Sequence, residues 1–254
     1  VWLVATVLGL ASVLLAPAAH AAPSEDMVNA KELVAALDAE LKAKRYEQAT
    51  DKLDVLASAY EELTDKSARA LVMKRVGKCS RCKNDAVVLS ALEAFDEMGD
   101  PAAWKYLACF LKQPDRKEKP AHFDQVLRTI RSLKPDGAIQ PLLTMTRKSK
   151  HLGVASAAME TLAVYRESSK RKLILKTIIE VVRKEQPGVK GRNDPAIIGP
   201  RQTGQEARSR WEALARPMVE TANTLTGQMA NSPSSWFELY NRHKRNLDDL
   251  FQEI

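Results

Sequence analysis

Two residues of this 254-residue chain have the spacing for thiol chemistry: Cys79 and Cys82 form a C-x-x-C, and Cys109 stands apart from them. Covalent haem attachment needs a histidine directly after the second cysteine, where this chain has Lys83. A zinc knuckle needs a second ligand pair, and no His or Cys pair at ligand spacing follows. A thioredoxin-like site needs a strand ahead of the motif, whereas Ala70 to Val76 reads as helix. What remains is a local disulfide between Cys79 and Cys82 or two plain thiols, with no metal and no cofactor implied. A redox or metal role is the lesser functional alternative. The search for catalytic groups is nearly empty. There is no G-x-S-x-G, no H-E-x-x-H and no phosphate loop. His122, His151 and His243 lie far apart in the chain. No catalytic residue is assigned, and the expected protein is not an enzyme.

The other chemistry on offer is positive charge. The formal charge is +7 and the isoelectric point about 9.3. The basic residues gather in four groups: Lys78, Arg81 and Lys83; Lys112, Arg116, Lys117 and Lys119; Arg147, Lys148 and Lys150; Arg183, Lys184, Lys190 and Arg192. Asp115, Glu118 and Glu185 dilute them without reversing the sign. One reading is local, since cations near helix C-termini offset the helix dipole at roughly 0.3–1 kcal/mol each. The functional reading is an anion-binding edge, facing an acidic protein, an anionic polysaccharide or a lipid surface. Nucleic acid is disfavoured, because no aromatic residues are interleaved with the basic ones to stack on bases. The stretch 186–204 is rich in Pro and Gly and carries Ile197 and Ile198 among basic residues, a pair that either docks a partner or tucks against neighbouring helices.

The elements that must carry these groups are helical. Leu92, Leu127 and Leu162 recur every 35 residues, and Phe95, Ile130 and Tyr165 keep the same interval. A fixed period of this length marks stacked helical hairpins. Thr64-Asp65, Gly99-Asp100 and Pro135-Asp136 open successive units as caps or turns. The first helices of the units are expected near 66–77, 102–113, 138–148 and 170–184. The second helices are expected near 85–98, 121–133, 152–166 and 205–215. Apolar residues at steps of three and four line the inner faces, among them Trp104, Leu107, Leu111, Leu142, Leu143, Leu173, Ile174 and Ile178. Each basic group then falls at the turn inside one hairpin.

This pattern resembles HEAT repeats over Thr64 to Ala215. Asp136-Gly-Ala-Ile-Gln-Pro-Leu-Leu is similar to the opening of such a unit, and Val154-Ala-Ser-Ala-Ala-Met-Glu-Thr-Leu162 to its Ala-rich second helix. Leu225-Thr226-Gly227 followed by Trp236 looks like the closing element of secreted bacterial HEAT-repeat proteins, those of planctomycetes especially. The resemblance implies an all-α fold, a right-handed α-α superhelix of the armadillo type, and a protein-binding scaffold. From the residues alone, Ser232-Pro233 starts a helix whose aromatic face would cover the last repeat, as the end of a solenoid requires. Arg216-Pro217 is expected to break the helix before it.

Residues 1–21 read as a secretory signal: an apolar run to Leu15, then Ala19 and Ala21 as a small-residue exit. The expected organisation is a signal over 1–21, a helical hairpin over 22–63, HEAT-like repeats over 64–215 and a C-terminal cap over 216–254. With no later apolar run of spanning length, an exported protein of the periplasm or exterior is expected. Its expected function is that of a non-catalytic scaffold for a protein partner in the cell envelope. The alternative is a binder of anionic polysaccharide or lipid through the basic edge.

Overall fold

The computed structural model describes residues 24–112, 120–186 and 204–251. Among them all regular structure is helical, with no strand. The helices are α1 (Glu25–Lys42), α2 (Tyr46–Glu62), α3 (Lys66–Cys79), α4 (Asp85–Met98), α5 (Trp104–Lys112) and α6 (Pro120–Leu133). They continue as α7 (Ile139–Lys148), α8 (Leu152–Thr161), α9 (Arg171–Glu185), α10 (Gly204–Thr226) and α11 (Pro233–His243). Short 3-10 turns lead into α5 (Pro101–Ala103) and α7 (Asp136–Ala138), extend α8 (Leu162–Tyr165) and follow α11 (Leu247–Leu250). The segment read as a signal lies outside the described residues.

Two layers follow from which helices touch. Odd-numbered α1 packs on α3, α5 on α7 and α7 on α9; even-numbered α2 packs on α4, α4 on α6, α6 on α8 and α8 on α10. Each odd helix also packs on the even helix after it. The 35-residue interval places equivalent residues at equivalent sites. Leu92, Leu127 and Leu162 are all buried in the even layer, as are Phe95, Ile130 and Tyr165. The backbone repeats too. Gly99 and Lys134 stand 35 residues apart and both adopt left-handed conformations, φ 61° and 46°, after α4 and α6. Gly tolerates that conformation without strain, while Lys134 holds it through a 2.8 Å bond from its N–H to the Ile130 carbonyl.

Hydroxyl groups stitch the even layer. Thr129 Oγ1 donates to the Leu92 carbonyl at 3.4 Å, and Thr221 Oγ1 to that of Met159 at 3.1 Å. At the α6–α8 joint the donor is Arg131, whose Nε meets Thr161 Oγ1 at 3.1 Å. Gly137 makes room for the odd layer's largest ring. A Cβ there would lie 2.4 Å from Trp104 Nε1, so the indole lies directly across the turn.

Of the expected starts, Asp65, Asp100 and Ser232 form caps, each accepting a backbone N–H of its own first turn, as Ser24 does for α1, while Pro135-Asp136 makes a turn without a side-chain cap. Three readings need correction. The break at Arg216-Pro217 does not occur: α10 runs through Pro217 to Thr226. Pro217 itself is buried, beside Leu214, Met218, Ala222 and Leu225. Burial of large apolar side chains at about 1.5–3 kcal/mol each outweighs a proline cost of about 3 kcal/mol. Leu173, read as an inner residue, is 45% exposed; α9 buries Ile174, Leu175, Ile178 and Ile179 instead. Leu162 and Tyr165 sit in a 3-10 turn, not in the α-helix expected to reach 166.

Candidate functional site

From α3 to α10 the odd helices end, and the even helices begin, at an intra-hairpin turn, so the described basic residues of the first and third groups, with Arg183 and Lys184, share one edge of the layers. The second turn, with Arg116 and Lys117, and the fourth, with Lys190, Arg192, Ile197 and Ile198, lie outside the described residues, as does the Lys112 side chain. Neighbouring turns nonetheless connect. In the first turn Arg81 Nη2 reaches Cys109 Sγ on α5 at 3.4 Å. Pro120 and Asp124 at the start of α6 share a groove of about 520 Å³ with His151 and Gly153 at the start of α8. The third and fourth turns are joined by a residue that the reading of charge groups passed over.

That residue is Arg210 on α10, 7% exposed. It donates to the carbonyls of Ser149 at 2.7 Å, Thr146 at 2.7 Å and Arg147 at 3.0 Å, and so caps the C-terminus of α7. Its Nε pairs with Glu185 Oε1 at 3.1 Å, at the end of α9. Burial holds the Glu185 carboxyl above its ordinary range, and the Arg210 charge opposes that rise. Glu185 is therefore a brace between two turns, not merely a diluting charge. A signal for Arg210 was present in the sequence, because it occupies the inner-face rhythm of Ala207, Leu214 and Met218.

Among the described residues, the arginines of the edge are engaged within the chain. Arg147 Nη2 donates to Thr177 Oγ1 at 3.0 Å. Arg183 Nη2 donates to the Phe237 carbonyl at 3.3 Å and Asn241 Oδ1 at 3.1 Å, and its guanidinium lies over the rings of Phe237 and Tyr240. Lys78, Lys83, Lys148, Lys150 and Lys184 are exposed, as are Arg81 and Arg147. As basic residues in last turns, Lys78, Arg147, Lys148, Arg183 and Lys184 also face the negative ends of α3, α7 and α9.

Cys79, Cys82 and Cys109 all carry free thiols in this structure. Cys79 closes α3, and the Cys82 N–H donates to its carbonyl at 2.9 Å. Burial pushes the Cys79 thiol up to about 11, so little of it is thiolate at neutral pH. The histidines serve separate ends. His122 is buried, its Nε2 3.2 Å from the Asp85 carbonyl; His151 precedes α8 on the surface; His243 Nδ1 lies 3.6 Å from Asp249. Among the described residues no group of three or more His, Cys, Asp or Glu is arranged to hold a metal ion.

The cap carries a second residue not foreseen. Asn223 Oδ1 accepts from Trp236 Nε1 at 2.9 Å and from the Ala230 N–H at 3.1 Å, while its Nδ2 donates to the Ala230 carbonyl at 3.0 Å. One amide thus fixes the α10–α11 connection and the indole together. Trp236 is fully buried, and α11 packs on both α9 and α10. Among the described residues no helix is long and apolar enough to cross a membrane. No known protein family, curated protein or solved structure matches this chain.

Proposed function

We propose that this chain is an exported, non-catalytic scaffold, a right-handed HEAT-like solenoid that presents a lysine-bearing edge to an acidic protein in the cell envelope. The observation that carries the reading is the division of labour along that edge. Arg147, Arg183 and Arg210 hydrogen-bond to the chain's own carbonyls and hydroxyls, Arg147 while itself exposed, and Lys148, Lys150 and Lys184 are exposed beside them. Braced turns hold exposed ammonium groups at fixed places, which favours charge complementarity over a broad partner surface.

The same observation favours one further reading. Lysine ammonium groups act as point charges and lack the two-pronged geometry of arginine. Such charges suit a diffuse anionic surface, a polysaccharide or a lipid headgroup layer, as well as an acidic protein. Lys148→Glu, Lys150→Glu and Lys184→Glu together form the test variant. Capture from envelope extract, with elution by salt, is expected to lose its acidic partner in that variant. Retention on heparin-like resin and acidic vesicles, lost by the same variant while protein capture persists, assigns the edge to glycan or lipid. A variant that keeps every ligand of the wild type removes the edge from both readings.

A further inference from the structure

On the opposite edge of the layers, where even helices end, the end of α4 is acidic. Between the C-terminal halves of α4 and α6 runs a groove of about 480 Å³, lined by Glu93, Asp96, Glu97, Gln125, Arg128 and Ser132. Three features set it apart from an ordinary solvated face. The first is its position. Glu93, Asp96 and Glu97 crowd the negative end of the α4 dipole, and the last turn of α4 carries no basic residue. Carboxylates there cost stability, since that end prefers cations. The second is Asp96 Oδ1, which is buried and accepts no hydrogen bond. The third is Gln125. It is 5% exposed, faces the groove and has no partner for its side-chain amide among the described residues. Polar side chains this deeply set in native proteins are nearly always paired, so an amide left open to a groove points to a missing partner.

The charge balance identifies that partner. Three carboxylates face one guanidinium, Arg128, which makes no ion pair with them among the described residues. The deficit is cationic. The surroundings deepen it, because Asp54 on α2 is raised by burial and then by the charges of Glu97 and Asp51. A metal ion does not suit, since no metal-holding group exists among the described residues. A guanidinium or ammonium carries both the charge that Glu93, Asp96 and Glu97 lack and N–H donors for the groove-facing carboxylates and the Gln125 carbonyl oxygen.

We infer that the α4–α6 groove is a binding site for an arginine or lysine side chain of a basic polypeptide segment, received by Glu93, Asp96 and Gln125. This surface is distinct from the lysine edge and takes a partner of opposite sign. The chain's net charge of +7 makes the test sharp, because a polycation is repelled overall and must find a local acidic site.

The experiment is fluorescence anisotropy of a labelled N-acetyl hexa-arginine amide against the full chain. Binding is expected, weakening steeply with salt. Glu93→Gln with Glu97→Gln, both exposed and outside the core, is expected to weaken it by at least about tenfold. Gln125→Leu, which leaves every charge in place, is expected to weaken it about threefold or more, with an unchanged circular dichroism spectrum. Lys148→Glu with Lys184→Glu is expected to leave it undiminished. Absence of binding, or equal binding by the Glu93→Gln, Glu97→Gln variant, overturns the inference. Full affinity in Gln125→Leu reduces the groove to a general acidic field and overturns it as a built site. Saturable calorimetric binding of calcium, lost in the same carboxylate variant, overturns the assignment to an organic cation.

Discussion

The two ends of the helical array close in different ways. At the C-terminal end α11 lays Trp236, Phe237 and Tyr240 against α9 and α10, and Asn223 fixes the indole with neutral hydrogen bonds. Aromatic contacts extend the closure, with Arg183 over Phe237 and Tyr240 and Arg171 over Phe251. At the N-terminal end α1 buries only Ala30 and Leu37 fully, and Val28 is 43% exposed. Carboxylates do much of the joining there: Asp26 receives the Thr64–Asp65 backbone, Asp65 receives Ser24, and Asp38 pairs with Arg75. The C-terminal closure rests on apolar area and on the neutral bonds of Asn223, with an ion pair between Asp248 and Lys172 beside them; the N-terminal joint rests on ionised acceptors. The indole closure should ignore acid, and the N-terminal joint should weaken in it.

The largest effect that would test this contrast is Trp236→Ala. Removing a fully buried indole costs about 3–5 kcal/mol, and it frees the Asn223 oxygen. Scanning calorimetry is expected to show a melting temperature lower by roughly 6–20 °C, at about 2–4 °C per kcal/mol for a chain of this size. A loss below 2 °C would mean that α11 is an appendage and not a closure.

Arg210→Ala comes next, and it probes the join between the C-terminal end and the lysine edge. The substitution leaves three carbonyls at the end of α7 without their donor and the mostly buried Glu185 without its partner. Breaking a buried pair on one side costs about 3–5 kcal/mol. Glu185→Gln is expected to cost less, since the amide oxygen can still accept from Arg210 Nε and the carbonyl cap of α7 stays in place. If urea titrations gave equal losses for the two, the carbonyl cap would not be the dominant role of Arg210.

How far the sequence disclosed these arrangements depends on the range over which each is determined. Ser24, Asp65, Asp100 and Ser232 were legible as caps because a cap is made within one turn of its own helix. The buried register of Leu92, Leu127 and Leu162 was legible because repetition multiplies a weak local signal. Arg210 and Asn223 were not read out. Their partners are made by other elements, up to 64 residues away for Arg210, and nothing in their neighbours' types announces a carbonyl or an indole. Pro217 misled for the complementary reason: local geometry argued for a break, and tertiary burial overruled it. The acidic groove escaped because Glu93 and Gln125 belong to different helices, and their joint meaning arises only once α4 and α6 pack.

A middle-sized effect isolates the hydrogen bonds from the ring. Asn223→Ala keeps Trp236 but removes the acceptor of its Nε1 and both bonds to Ala230. A loss of about 1–3 kcal/mol is expected, the cost of leaving buried donors unmade. Tryptophan emission should shift to longer wavelength as the indole N–H meets water. Asn223→Asp, which can still accept, should recover part of the loss at neutral pH. An unchanged melting point in Asn223→Ala would assign the closure to the ring alone.

The smallest expected effect at neutral pH, and the one that separates the ends most cleanly, belongs to Asp26. Its Oδ2 accepts the N–H of Thr64 at 2.7 Å, the N–H of Asp65 at 2.8 Å and the Thr64 hydroxyl at 2.8 Å. These bonds, that from the Asp65 N–H foremost, hold the Asp26 carboxyl below its ordinary range. A carboxylate lowered in the folded state contributes stability that is present above the unfolded pKa and is lost as pH falls through the folded value. Asp65 is lowered as well, chiefly by Ser24, so the two acidify in the same direction. Asp26→Asn should therefore melt slightly below the wild type at neutral pH and converge with it as pH falls through the lowered Asp26 value, where both carry a neutral group. The deficit of Trp236→Ala should not shrink over the same range, because neither the indole nor Asn223 titrates there. Hydrogen exchange should show the site directly, with amides 64 and 65 losing protection in acid before those of α10. If the Asp26→Asn deficit stayed constant with pH, the N-terminal joint would rest on shape and not on charge, and the two ends would be alike after all.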